Sequence, residues 1–353
     1  MTPSPELPDF HLDRPGALIA AIPAVLGFVP EDSLVLLTFD AGQMGCVMRV
    51  DLDLARTEGI DHLADVAAAA APHSAIAVIV DEKGVACRQC SEEHLELAAV
   101  LADRLAGHRI ELLAVHVVDR VEVGGRWHCA DGCGNHGIIE DPSASPLAAA
   151  AVLDGRRLYR RRADLQQVVV ADPVRADRLE RVIADLPARP AVTGNARSRE
   201  GVEAAITAAA QLAAGECPSD DHQARLAVAL TDPQVRDTLY ALAVGEDAGP
   251  AESLWAELAR TLPVPWRVEA LVLLAFSAYV RGDGPLAGVS LDAALRCAPD
   301  HRMAGMLDRA LQAGMRPEQI RELGLSGYRQ AERIGVQLPP RRGFSGGQRR
   351  AGA

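Results

Sequence analysis

The sequence predicts an α/β N-terminal domain, a mostly parallel sheet with flanking helices, followed by an all-α domain. Three observations predict it. Apolar runs of strand length recur in the first 120 residues, with helical patterns between them. Beyond about residue 143 no convincing strand appears, apart from a weak VVVA at 168–171. From there to residue 313 the chain is a succession of Ala/Leu/Arg segments of helical period, separated by Pro- or Gly-bearing turns.

Taken in order, residues 1–13 are Pro-rich and read as loose. Pro15 suits the first turn of a helix, Pro23 suggests a kink within it, and Gly27 suits the left-handed residue just past its end. LVLLTF (34–39) reads as a buried strand, Gly42 as a turn and CVMRVDL (46–52) as a second strand. There the two-residue repeat puts Arg49 and Asp51 on one face. Residues 59–71 form an Ala-rich helix, and AIAVIV (75–80) a continuous apolar strand of the interior parallel type. A helix follows from Ser91 to Leu105, then the strand IELLAVHVV (110–118) and a Gly124-Gly125 hairpin with a short return strand at 126–128. Helices are expected at 146–154, 161–168, 174–186, 198–214, 221–230, 233–244, 251–262, 266–281, 284–297 and 301–313. The expected domains are 14–165 (α/β) and 166–335 (helical), with a disordered tail at 336–353.

The net charge of −12 argues against a surface that tracks nucleic acid. MTPSPELPDF lacks a basic region followed by an apolar one, and no apolar run approaches the ~20 residues of a membrane helix, so the expected location is the cytoplasm. Seven cysteines, an odd number thinly spread, do not make a disulfide framework. Cys46, Cys217 and Cys297 stand alone and read as small buried apolar residues.

Four cysteines come in close pairs, and these carry the chemistry. Trp127-His128-Cys129-Ala130-Asp131-Gly132-Cys133-Gly134-Asn135-His136 packs two thiols and two imidazoles into a turn-forming loop. Thiolate and imidazole are what zinc prefers in tetrahedral sites. Cys87 and Cys90 form a second half-site after the strand at 75–80. If the loops after the two parallel strands share one sheet edge, Cys87, Cys90, Cys129 and Cys133 meet as a four-thiolate site. Alternatively Cys129, Cys133 and His136 bind with His128 or water. A surface loop with reduced thiols and a redox pair stay open beside these, and a zinc, if bound, is structural rather than catalytic.

Other residues signal less. Arg49 and Asp51 are candidates for a small ligand, by analogy with sites at strand ends. Arg156, Arg157, Arg160, Arg161 and Arg162 are expected to pair with carboxylates at the domain junction. His116 reads as a satisfied core histidine. The chain has no phosphate loop, no dinucleotide fingerprint and no nucleophile elbow.

In segment 266–313 two helices of similar length are joined by Arg281-Gly282-Asp283-Gly284, with Ala275, Ala278, Ala287 and Ala294 where helices approach closely. It resembles one tetratricopeptide-type hairpin plus a following helix, which makes the helical domain partly tetratricopeptide-like; an ordinary Ala-rich bundle explains it equally. Ile22-Pro23, Leu26-Gly27-Phe28-x-Pro30-x-Asp32-Ser33-Leu34-Val35, Arg49-x-Asp51-Leu52, the 127–133 loop and Asp232-x-x-Val235-Arg236-Asp237 resemble an actinobacterial domain-of-unknown-function family over roughly 13–315. That resemblance implies a bacterial cytoplasmic protein and carries no established activity, catalytic residue or cofactor. The expected function is a non-enzymatic protein-binding or scaffold role, using the helical half to engage a protein partner. The alternative is a metal- or thiol-dependent enzyme or sensor at the sheet edge.

Overall fold

A computed structural model of the chain describes residues 14–40, 43–69, 71–84, 88–153, 156–186 and 194–342. The N-terminus expected to be loose, the turn at Gly42, Cys87 and the tail from 343 lie outside the described residues. Helix α1 (Pro15–Leu26) opens on Pro15 and closes at Gly27, whose φ of 74° is the left-handed conformation a side chain disfavours. Pro23 lies within α1 and does not interrupt it. Strands β1 (Ser33–Asp40) and β2 (Gln43–Asp51) form a hairpin. A single turn α2 (Leu52–Leu54) and a π-helical stretch (Ala55–Gly59) lead into α3 (Ile60–Ala69). Strand β3 (Ser74–Val80), helix α4 (Arg88–Gly107) and strand β4 (Glu111–Val118) follow, then β5 (Arg126–Cys129) and β6 (His136–Ile138).

The six strands lie in the order β2-β1-β3-β4-β5-β6. This corrects the expected mostly parallel sheet: β3 and β4 pair in parallel, and every other neighbouring pair is antiparallel. Two tight reversals, β1 to β2 and β5 to β6, flank the one helical crossover that a parallel pair requires.

Alternation along the strands divides the core. Leu34, Leu36, Ala77, Ile79 and Val117 pack with Leu63 and Ala67 of α3 and Leu97, Leu101 and Leu105 of α4. On the opposite face Val35, Leu37, Phe39, Val78, Val80 and Val118 join a cluster that takes in α1 and continues through the helical half as far as Val336.

That half comprises α5 (Pro146–Leu153), α6 (Arg162–Gln167), α7 (Pro173–Ala184), α8 (Asn195–Ala213), α9 (Asp220–Leu230), α10 (Pro233–Leu239), α11 (Ala248–Thr261), α12 (Arg267–Arg281), α13 (Gly284–Cys297), α14 (Arg302–Gln312) and α15 (Pro317–Ile334). Side chains of Asp172, Ser219, Asp232 and Asp283 accept hydrogen bonds from first-turn amides of α7, α9, α10 and α13, which is why those helices start where they do. No strand forms at 168–171. The α12–α13 hairpin forms where expected, and α12 is buried from Ala270 to Val280 among α11, α13, α14 and α15. Leu165, at the expected boundary, is itself buried in the shared core. Among the described residues no helix is long and apolar enough to cross a membrane.

Two C-terminal features depart from expectation. Helix α15 was not expected, and residues 336–342, expected to belong to a disordered tail, are docked. Arg342 N donates to Val244 O and Glu246 N to Pro340 O, while Arg341 stacks over the Tyr328 ring at 4.7 Å. The backbone groups of 244–246 gain partners there, which outweighs the polar composition of the segment. The approach of α15 depends on Gly327. A Cβ there would stand 2.8 Å from both Thr238 O and the Ala241 Cβ, atoms fixed by backbone. Gly327→Ala is therefore expected to destabilise by about 1–3 kcal/mol through overpacking, against a gain of ~1 kcal/mol in helix propensity. Urea unfolding checks the sign: a midpoint that rises would contradict the packing.

Candidate metal centre

Strand β5 pairs with β4 through His116↔Cys129, Val117↔His128 and Val118↔Trp127. Trp127 and Cys129 therefore share the face of His116 and Val118, and His128 turns to the other face, where α4 packs. His116 is 4% exposed, and its ring meets Trp127 edge-on at 5.3 Å. Its Nδ1 lies 3.6 Å from the Cys129 Sγ.

The loop from Cys129 to Asn135 then turns back on itself. The Cys133 amide donates to Asp131 Oδ1 at 3.0 Å, and Cys129 N donates to Asn135 O. The result brings the two sulfurs and an Asp131 carboxylate oxygen within 4.8 Å of one another. In a tetrahedral zinc site, sulfur at ~2.3 Å and nitrogen at ~2.0–2.1 Å from the ion stand about 3.5 Å apart. The His116–Cys129 separation has this value.

The electrostatics suit a cation. Burial, and then the neighbouring Cys133 thiol, push the Cys129 thiol up to about 11, so without a cation it stays protonated near neutrality. The hydrogen bond from the Cys133 amide holds the Asp131 carboxyl below its usual range. Burial, opposed by Asp131, lowers the His116 pKa, which favours the neutral imidazole that a metal needs.

The remaining expected ligands are placed differently. Cys90 lies in the first turn of α4, on the opposite face of the sheet from Cys129, so the Cys90 and Cys129/Cys133 half-sites do not converge. Strand alternation is the reason, and Cys87 lies outside the described residues. His136 pairs across strands with His128, but its Nδ1 is bonded to Gly134 O at 2.9 Å and its side chain is exposed. It lines an open cavity of about 720 Å³ beside the loop instead of joining the sulfurs.

Arg49 and Asp51 are engaged with the chain's own groups. Arg49 Nε donates to Ser33 Oγ at 2.8 Å, its Nη2 meets Asp51 Oδ1 at 2.6 Å, and Arg162 approaches the other Asp51 oxygen at 3.6 Å. Arg161 likewise pairs with Glu31 at 3.4 Å. The loop after α1 is stitched to the start of the helical half by Tyr159 N to Gly27 O and Val29 N to Tyr159 O. Of the lone cysteines, Cys46 and Cys297 are half-buried, and Cys217, expected inside, is exposed.

Sequence reasoning missed a buried pair behind β5. His94 is 1% exposed, and its Nε2 lies 3.0 Å from Asp81 Oδ2 at the end of β3. The signal was present: His94, Leu97, Leu101 and Leu105 repeat at helical spacing on the inner face of α4.

A model of the family described as Domain of unknown function (DUF4192) matches residues 15–318. The chain belongs to the DUF4192 family. The match runs from α1 into α15, so both the sheet and the helical half of this DUF4192 chain are family structure, and the Cys129–Cys133 loop lies within it. No curated protein and no solved structure matches the chain.

Proposed function

We propose that this DUF4192 chain is a zinc-binding protein in which the metal fastens the β5–β6 hairpin to β4. The observation that carries this reading is the convergence of Cys129 Sγ, Cys133 Sγ and an Asp131 oxygen within 4.8 Å, with His116 Nδ1 3.6 Å from the first sulfur. Two thiolates select zinc over magnesium or calcium. Cys129, Cys133, Asp131 and His116 supply four donors, the number that closes a tetrahedral shell, so the role is structural rather than catalytic. A metal there joins residues far apart along the chain: His116 lies on a core strand, and Cys133 on an exposed loop.

The other reading is a non-enzymatic scaffold that binds a protein partner through the helical half. It has less support, because α12 and its neighbours spend their apolar faces on one another. Metal analysis of reduced, full-length protein tests the zinc reading. The Cys129→Ser/Cys133→Ser variant is expected to lose one equivalent of zinc per chain relative to the unmodified protein. Unchanged zinc content would contradict the site.

A further inference from the structure

We infer a second zinc site on the opposite face of the sheet, formed by Cys90 and His94 of α4 and His128 of β5, with Asp81 orienting His94. His94 is the decisive residue. Asp81 accepts from its Nε2 at 3.0 Å, and the same carboxylate accepts from Lys83 N at 2.9 Å, which fixes its orientation. That bond puts the ring proton on Nε2 and leaves Nδ1 with a bare lone pair. Nδ1 is buried and has no hydrogen-bond partner. A buried acceptor left unmatched costs stability, and such exceptions in a folded chain call for a cause. A histidine with one nitrogen on a carboxylate and the other on a metal is the standard arrangement in zinc proteins.

Two further donors flank that lone pair. Cys90 precedes His94 by four residues in the same helix, one turn away on the same side. His128 projects from β5 toward α4 and lies near enough to His94 to feel its charge. One thiolate and two neutral imidazoles are a zinc or cobalt(II) set of three protein ligands. They leave the fourth position to water, in contrast to the closed set around Cys129. Asp81 supplies outer negative charge. Gly84 presses against the imidazole, since a Cβ there would lie 2.4 Å from His94 Cε1, so the ring has one orientation open to it.

Cobalt(II) titration of reduced full-length protein reads both sites through the sulfur-to-cobalt absorption band. The unmodified chain is expected to take two equivalents. Cys129→Ser/Cys133→Ser should retain one, with a thiolate band, and adding Cys90→Ser or His94→Gln should remove it. Asp81→Asn should weaken the retained site about 10–100-fold, as loss of an outer-shell partner does. Cys90 is half-buried at a helix end, so its variant tests the site without opening the core. Retention of the second equivalent in the Cys90→Ser chain would overturn the inference, as would its absence from the Cys129→Ser/Cys133→Ser chain. The two failures are distinguishable. If this site does not exist, the unmodified chain binds one equivalent, which Cys129→Ser/Cys133→Ser abolishes. If the first site does not exist, it binds one equivalent, which Cys90→Ser abolishes.

Discussion

Stripping zinc from the chain with a chelator is expected to lower its stability by about 4 kcal/mol at a free-zinc level ~1,000 times the dissociation constant. The ligands are assembled only in the folded state, so the binding free energy is folding free energy. For 353 residues the unfolding entropy is large, and about 4 kcal/mol corresponds to a melting-temperature drop on the order of 5 °C. The loss should be local before it is global. Strand β6 is a three-residue edge strand, paired only to β5 and carrying Ile138 at 68% exposure. Hydrogen exchange should accelerate first in 126–138. A melting temperature indifferent to chelator, with exchange unchanged there, would mean that the sulfurs hold no metal.

The second large effect concerns the core. Trp255 of α11 is 1% exposed, and truncation to alanine is expected to cost about 3–5 kcal/mol. The continuous cluster makes a further demand. If the sheet and the helical half share one core, the cost must be felt in both. In a Trp266→Phe background with Trp255→Ala, Trp127 on β5 becomes the one tryptophan left to report on the sheet, while far-UV circular dichroism reports mainly on the helices. The two urea transitions are expected to move together. If the Trp127 transition stays in place while the helical one falls, residue 165 divides two independent cores.

Much of the helical half is legible in the sequence because proline, glycine and capping residues punctuate it. Asp172-Pro173, Asp232-Pro233 and the Gly282 turn place α7, α10 and the α12–α13 hairpin within a residue or so. Helix α15 escaped because Gly324 and Gly327 lower its propensity. Both glycines serve tertiary contact, since a Cβ on either would press on Ala241 or Val244. Strand direction was not legible: apolar runs such as LVLLTF and AIAVIV look alike whether a strand runs with its neighbour or against it, and β1 runs against β3.

At the metal centre, the Cys129/Cys133 pair is visible as spacing. Its pairing with Cys90 failed because one residue's alternation decides which face a side chain takes. His116 is thirteen positions upstream of Cys129 and meets it only through strand pairing. Asp131 lay in plain view between the two cysteines, and no spacing rule singles it out.

The most direct measurement is X-ray absorption at the zinc edge on reduced full-length protein carrying Cys90→Ser, which isolates the first site. The account predicts one zinc per chain, with two sulfurs at about 2.3 Å and two nitrogen or oxygen atoms at about 2.0–2.2 Å. A chain that purifies without zinc, or a shell of nitrogen and oxygen alone, would contradict it.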